Sequence, residues 1–292
     1  MKKSASFLFL ILLMLLIQLS AIANPESEIK TFLKLHNKAI QNHDIQKIKT
    51  FYAPDYISSD GFDINDMEDM LEKTYSSYKN IKYKTKILNI TANDNWAIVQ
   101  LKDRTYAKVY PNNEKKYKDK AGYLNGCSTY NVYLNKEKNG WKITYDEILA
   151  EETSLVYGIA KKINMELNTP LFIKNGGEYD LSLKMKKPDN IIALGSISRE
   201  EISYPIKDYA EKFRKIPETG DLERLVKANN KNYNEYAVAS VGFTKVSVND
   251  KVTKAKIKIL GMAYLMKRIN MEKLPLNKTQ KILVENKTNK KQ

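Results

Sequence analysis

Asp103 stands in the run Trp96 to Val109, where Ala97, Val99, Leu101, Thr105, Ala107 and Val109 share its parity. Side chains alternate across a strand, so this spacing sets a carboxylate on a small apolar face. A carboxylate in that position must gain partners or take up a proton. Its functional reading is a base for proton abstraction; its structural reading is a strand end, or an ion pair with a neighbouring lysine or Arg104. His36 falls on a helical stripe with Ile29, Phe32, Leu33 and Ile40. That makes it either an interior acid, base or hydrogen-bond donor, or a core histidine held by a backbone carbonyl. Tyr130 shares a strand face with Ser128 and Val132, Tyr133 takes the opposite face with Cys127 and Thr129, and Glu147 follows Trp141, Ile143 and Tyr145 in parity. His36, Asp103, Tyr130 and Glu147 are therefore expected to line an interior pocket, and spacing alone assigns none of them a catalytic role.

Other chemistries lack their residues. Two histidines and a single cysteine provide no zinc-ligand spacing, so no metal is expected. There is no Ser-His-Asp order with a supporting motif, no phosphate-binding glycine loop and no dinucleotide fingerprint, so no cofactor is expected either. Cys127 has no second cysteine to join, which excludes an intramolecular disulfide and leaves packing to hold the fold.

The elements that must position these side chains follow from a change of period. After the stripe carrying His36, Asp44 is placed to cap a short second helix with Ile45, Ile48 and Phe51. Pro54 ends that helix and restrains Ala53 to extended geometry, leaving Tyr56 to Ser58 for one brief strand. Asp60-Gly61 marks a turn, and Asp63 or Asn65 caps a third helix through Met67, Met70, Leu71 and Tyr75. Asp60 and Asp63 thus read as turn and cap residues. From Tyr83 the period becomes two, with strands over Tyr83 to Asn89, Trp96 to Val109, Tyr123 to Leu134 and Trp141 to Ala150. The lysine-rich connection from Pro111 to Ala121 reads as an exposed hairpin tip.

Helix, helix, short strand, helix and then long antiparallel strands is an α+β order in which helices cover one face of a curved sheet. The stretch "FLKLHNKAIQNHDIQKIKTFYAPDYISSDG", the helix after it and the closing strand beginning "GWKITYDE" resemble the nuclear transport factor 2-like superfamily, with its SnoaL-like proteins. The resemblance covers residues 24–154. It implies a cone-shaped, curved antiparallel sheet wrapped around three helices to leave a pocket. It also implies a spread of activities, from isomerases, dehydratases and cyclases to non-catalytic binding domains, so the fold by itself selects no function.

The rest of the chain carries no family resemblance. Residues 155–172 read as a linker helix from the spacing of Leu155 to Leu167, and residues 173–271 as a β-rich domain of sandwich type, with strands at Tyr179 to Met185 and beyond. Within it Asp221 is placed to cap a short helix using Leu222, Leu225 and Val226. The stretch "DLERLVKANNKNYNEY" offers a polar network, a contact surface or Asn-rich turns. Residues 272–292 read as a basic disordered tail.

Lys2 and Lys3, the apolar run from Phe7 to Ile17 and Ala21-Ile22-Ala23 have the order of a secretory signal peptide over residues 1–23. The expected location is periplasmic or extracellular, with membrane association if the signal stays uncleaved. The formal charge of +15 falls to +13 without Lys2 and Lys3. Such a balance suits an anionic envelope surface met through the tail, although abundant Lys, Asn and Ile give the same charge by composition alone. The expectation is an exported two-domain protein of the bacterial envelope that binds a small ligand or a protein partner without catalysis, with a homodimer as a further association. The alternatives are an isomerase or dehydratase using Asp103 as base with His36 or Tyr130 as donor, and a polyanion-binding protein using Lys115, Lys116, Lys118, Lys120 and the tail.

Overall fold

The computed structural model describes residues 24–110, 121–205, 211–248 and 255–272. The expected signal peptide, the lysine-rich hairpin tip and the basic tail from Lys273 lie outside the described residues. The described residues divide into two units, one holding 24–107 and 127–149, the other holding 108–110, 121–126 and the described residues after Leu149.

The first unit is α+β. Helix α1 (Pro25–Gln41) begins where the Asn24 side chain accepts from Glu26 N at 3.0 Å, with Pro25 in the first turn, where its missing N–H costs nothing. Glu26 and Glu28 at its start and Lys38 at its end suit the helix dipole. Helix α2 (Ile45–Lys49) is capped by Asp44, which accepts from Lys47 N at 3.0 Å. Strand β1 (Tyr52–Ser58) follows, starting earlier than the sequence suggests. Gly61, at φ +86°, supplies the left-handed residue of the next turn. Helix α3 (Ile64–Ser77) opens on a capping box: Asp63 Oδ1 accepts from Asn65 N at 2.8 Å and Asp66 N at 3.0 Å, and Asp66 Oδ2 accepts from Asp63 N at 3.2 Å.

Strands β2 (Lys82–Ala92), β3 (Trp96–Val109), β4 (Gly122–Glu137) and β5 (Gly140–Gly158) lie side by side in chain order, and β1 pairs in parallel with β5. Strands β2 and β3 are antiparallel, with Thr85 opposite Asp103 and Tyr83 opposite Thr105. Ile29 and Leu33 of α1 share one core with Tyr56, Val99, Leu101, Val132, Leu134 and Ile143. At about 1.5–3 kcal/mol for each fully buried aliphatic side chain, this cluster is what clamps α1 to the sheet.

The second unit is built of strands. One sheet runs β10 (Arg214–Lys215), β9 (Ile192–Glu201), β12 (Glu235–Val248), β13 (Ala255–Met271) and then the end of β5; the other runs β11 (Asp221–Lys227), β8 (Glu178–Met185) and β6 (Met165–Asn168). The two-residue strand β7 (Phe172–Ile173) pairs with β13. Leu181, Leu183, Leu222 and Val226 share a single core with Val241, Phe243, Leu265 and Ile269, so both sheets turn apolar faces to it.

Two sequence expectations are corrected here. Residues 155–172 are not a linker helix: Leu155 to Gly158 finish β5 in pairing with β13, a single 3-10 turn covers Ile159–Lys162, and β6 follows. Gly158, at φ +57°, ends β5 so close to the Leu260 carbonyl that no side chain would fit there. Asp221 caps no helix either, because all seven residues of β11 pair with β8. Leu222 and Val226 are four apart, a spacing that serves one face of a helix and one face of a strand equally. Leu225, 64% exposed, belongs to neither buried face.

A carboxylate sits at the heart of this unit. Glu235 is fully buried and accepts from Arg199 Nη1 at 2.8 Å, Tyr179 OH at 3.0 Å, Asn229 N at 2.7 Å and Asn229 Nδ2 at 2.6 Å. Asn229 also accepts from Lys231 N and Tyr233 N and donates to the Tyr233 carbonyl, and Asn234 Oδ1 accepts from Met271 N. The Asn-rich stretch singled out in the sequence is therefore both turn and network.

Candidate functional site

Four elements of the first unit bring titratable side chains together. Asp103 comes from β3 on the face its parity predicts, shared with buried Ala97, Val99 and Leu101. Its Oδ2 accepts from Tyr130 OH of β4 at 2.8 Å, while its Oδ1 is buried with no hydrogen-bond partner. His36 reaches the same interior from α1, its ring edge-on to Phe51 at 5.2 Å and to Tyr52 at 5.7 Å. Its Nε2 is buried and unpartnered, so the backbone-carbonyl contact of an ordinary core histidine is absent at that nitrogen. Tyr75 of α3 places a third buried, unpartnered polar atom there, its hydroxyl, and stacks its ring on His43 at 4.1 Å.

The protonation states follow from burial. Desolvation lowers His36 from 6.5 to about 4, so near neutral pH its imidazole is uncharged. Tyr75 is pushed up to about 12 by burial. Tyr52, Tyr83 and Tyr130 are raised first by burial and then by neighbouring carboxylates and phenols, Asp103 acting on all three, Asp146 on Tyr52 and Tyr130, and Tyr75 on Tyr52 and Tyr83. These phenols are donors that keep their protons.

Tyr130 and Asp103, both expected at the site, meet directly, and His36 joins them through Tyr52. On β5 Asp146 meets a buried tyrosine, accepting from Tyr56 OH at 2.7 Å; Glu147, the expected residue beside it, is half-buried. Sequence reasoning also passed over Tyr52, Tyr56 and Tyr83 as site residues. The signal available was the density of tyrosine around the Pro54 turn, where Tyr52 and Tyr56 stand four apart.

Among the described residues no group of three or more His, Cys, Asp or Glu could hold a metal ion, and no helix is long and apolar enough to cross a membrane. The arrangement offers an acceptor at Asp103 Oδ1, a donor at Tyr75 and an uncharged ring nitrogen at His36.

Solved structures are similar to this chain over 42% of its length. A candidate dehydratase of the nuclear transport factor 2-like family from Streptomyces avermitilis is 10% identical with a TM-score of 0.35, the match covering 42% of this chain and 95% of that one. A candidate polyketide cyclase from Xanthomonas campestris is 14% identical with a TM-score of 0.27, covering 42% and 89%. Bd1075 of Bdellovibrio bacteriovorus is 19% identical with a TM-score of 0.34, covering 42% of this chain and 40% of its own. The chain matches no family model and no curated protein.

Proposed function

We propose that the first unit is a nuclear transport factor 2-like, SnoaL-like cone that binds a small ligand in its interior, within an exported protein whose second unit is a sandwich-type interaction module. The observation that carries this reading is that three of the first unit's four buried polar atoms without partners, Asp103 Oδ1, His36 Nε2 and Tyr75 OH, have Tyr52 as a common neighbour. A buried polar group left unpaired costs about 1–3 kcal/mol, so three around one side chain support a site completed by another molecule. The order of three helices and a sheet, with α1 packed on the strands, supports the cone. The basic, apolar and small-residue order of residues 1–23 supports export.

The Tyr130 hydroxyl already donates to Asp103, so in the isomerase or dehydratase alternative the oxyanion donor would be His36. The test is a thermal-melt screen of small polar compounds on the mature chain, followed by a crystal structure with any that binds. A ligand at a hundredfold excess over its Kd stabilises by about 2.7 kcal/mol. The expected result is a compound that raises the melting temperature, touches Asp103, and loses its effect in Asp103→Asn. A crystal structure with those three atoms capped by side chains, and no compound shifting the melt, overturns the reading. Turnover of a carbonyl compound that Asp103→Asn abolishes would replace it with the enzyme.

A further inference from the structure

We propose that the β12–β13 ribbon of the second unit docks on an anionic lipid bilayer, with Val246, Ile257 and Ile259 entering the apolar layer and Lys245, Lys256 and Lys258 meeting the headgroup phosphates. This names a partner for the interaction module read in that unit and rests on that reading; it is independent of any ligand in the first unit. Register comes first. Strand β12 pairs with β9 only as far as Thr244, and β13 pairs with β5 only from Gly261 onward. Beyond those points the two strands pair, among the described residues, only with each other. Thr244 lies opposite Ile259, Lys245 opposite Lys258, Val246 opposite Ile257 and Ser247 opposite Lys256. Opposed residues share a face and successive ones alternate, so Thr244, Val246, Ile257 and Ile259 take one side of the ribbon and Lys245, Ser247, Lys256 and Lys258 the other. Ile257 and Ile259 are each 67% exposed, and Val246 and the three lysines are exposed as well.

The apolar side does not stop at the ribbon. Two residues back from Thr244 on the same face, Gly242 lies opposite both Leu194 and Met262, which are exposed too. A Cβ added at Gly242 would meet nothing within 4 Å, so the surface above it is open. The face turns polar at Ser240, whose hydroxyl donates to Glu211. A contiguous exposed apolar patch marks a surface that meets a partner or a membrane. Charge selects the membrane. Lys245 directly opposite Lys258 is a repulsive pair, and the described strands of the ribbon carry no acidic residue to relieve it. A neutral apolar partner would cover the isoleucines and leave that repulsion, and a soluble polyanion would relieve the repulsion and leave the isoleucines in water. A second copy would bring the same lysines again, and lysine on an open strand edge discourages pairing with another chain. An anionic bilayer meets both needs in one contact, as it does for amphipathic helices with a basic polar face that lie in the interface plane.

The test is co-sedimentation of the full mature chain with vesicles of phosphatidylglycerol and phosphatidylcholine in equal parts, and with vesicles of phosphatidylcholine alone. The chain should bind the mixed vesicles far more tightly than the neutral ones. Ile257→Ser with Ile259→Ser keeps every charge of the chain and should weaken binding to the mixed vesicles at least about tenfold. Lys245→Gln, Lys256→Gln and Lys258→Gln together should weaken it roughly a hundredfold at low salt. Lys82→Gln, Lys84→Gln and Lys86→Gln together remove the same charge from β2 of the first unit and should weaken it less than about threefold. Urea midpoints equal to the parent's show that each variant folds; if the serine pair does not, the two lysine sets decide. A folded serine pair that binds like the parent, or lysine sets that weaken binding equally, would mean attraction by net charge alone and overturns the ribbon. A concentration-dependent dimer in sedimentation velocity that the serine pair dissolves gives the face to a second copy and overturns it too. Either outcome leaves the ligand of the first unit, read by the melt screen, untouched.

Discussion

Each unit buries a carboxylate among tyrosines, and the two are treated in opposite ways. Glu235 receives four hydrogen bonds, one of them from a guanidinium, and ties β8, β9 and the Asn229 turn together. Asp103 receives one, from Tyr130, and keeps its other oxygen buried and open. A fully satisfied polar network rigidifies the core around it; a partly satisfied one leaves a polar atom with unmet capacity. In the proposed reading, the contrast separates a carboxylate that builds the fold from one that meets a ligand.

The sharpest way to break this contrast is Glu235→Ala. It would strand the guanidinium of Arg199, the Tyr179 hydroxyl and the Asn229 amides, and removing one partner of a buried pair typically costs about 3–5 kcal/mol. The denaturant midpoint should fall accordingly, and a loss below about 1 kcal/mol would mean the network is not structural.

A smaller effect is expected from acid. The folded His36 value of about 4 lies below the unfolded 6.5, so between these values the unfolded chain binds the extra proton. Stability attributable to this residue is complete above pH 6.5 and is lost as pH falls toward 4, by at most about 3–4 kcal/mol at about 1.4 kcal/mol per unit. His36→Phe should remove that part of the slope in urea titrations run at neutral and mildly acidic pH. An identical slope in both proteins would show that His36 takes its proton as freely in the fold as out of it.

The smallest effect should come from Asp103→Asn. The amide keeps an acceptor for Tyr130 at nearly the same size and shape, so stability should change by less than about 1 kcal/mol or rise, as at functional sites where stability was traded for use. A loss as large as that of Glu235→Ala, read from the same denaturant curves, would erase the difference between the two units.

How much of this was legible before the structure depends on the range of the interaction. The caps at Asp44 and Asp63 are satisfied within three residues, and each was readable from its own neighbourhood. The inward face of Asp103 followed from strand parity, and that of His36 from a helical stripe. The partners were not readable, because Tyr130 lies 27 residues from Asp103 and Tyr56 lies 90 from Asp146. Leu155 to Leu167 failed for a related reason: the pairing partner that makes Leu155 to Gly158 a strand arrives about a hundred residues later, in β13.

The sequence by itself determined the periods, the caps, the turn at Gly61 and the side of each element that is apolar, since these depend on backbone geometry and on neighbours within a turn or a pleat. Only the tertiary structure decided which polar groups met and which were left open. Hydrogen bonds across a sheet depend on register, and register is fixed by how whole faces pack rather than by any local run of residues.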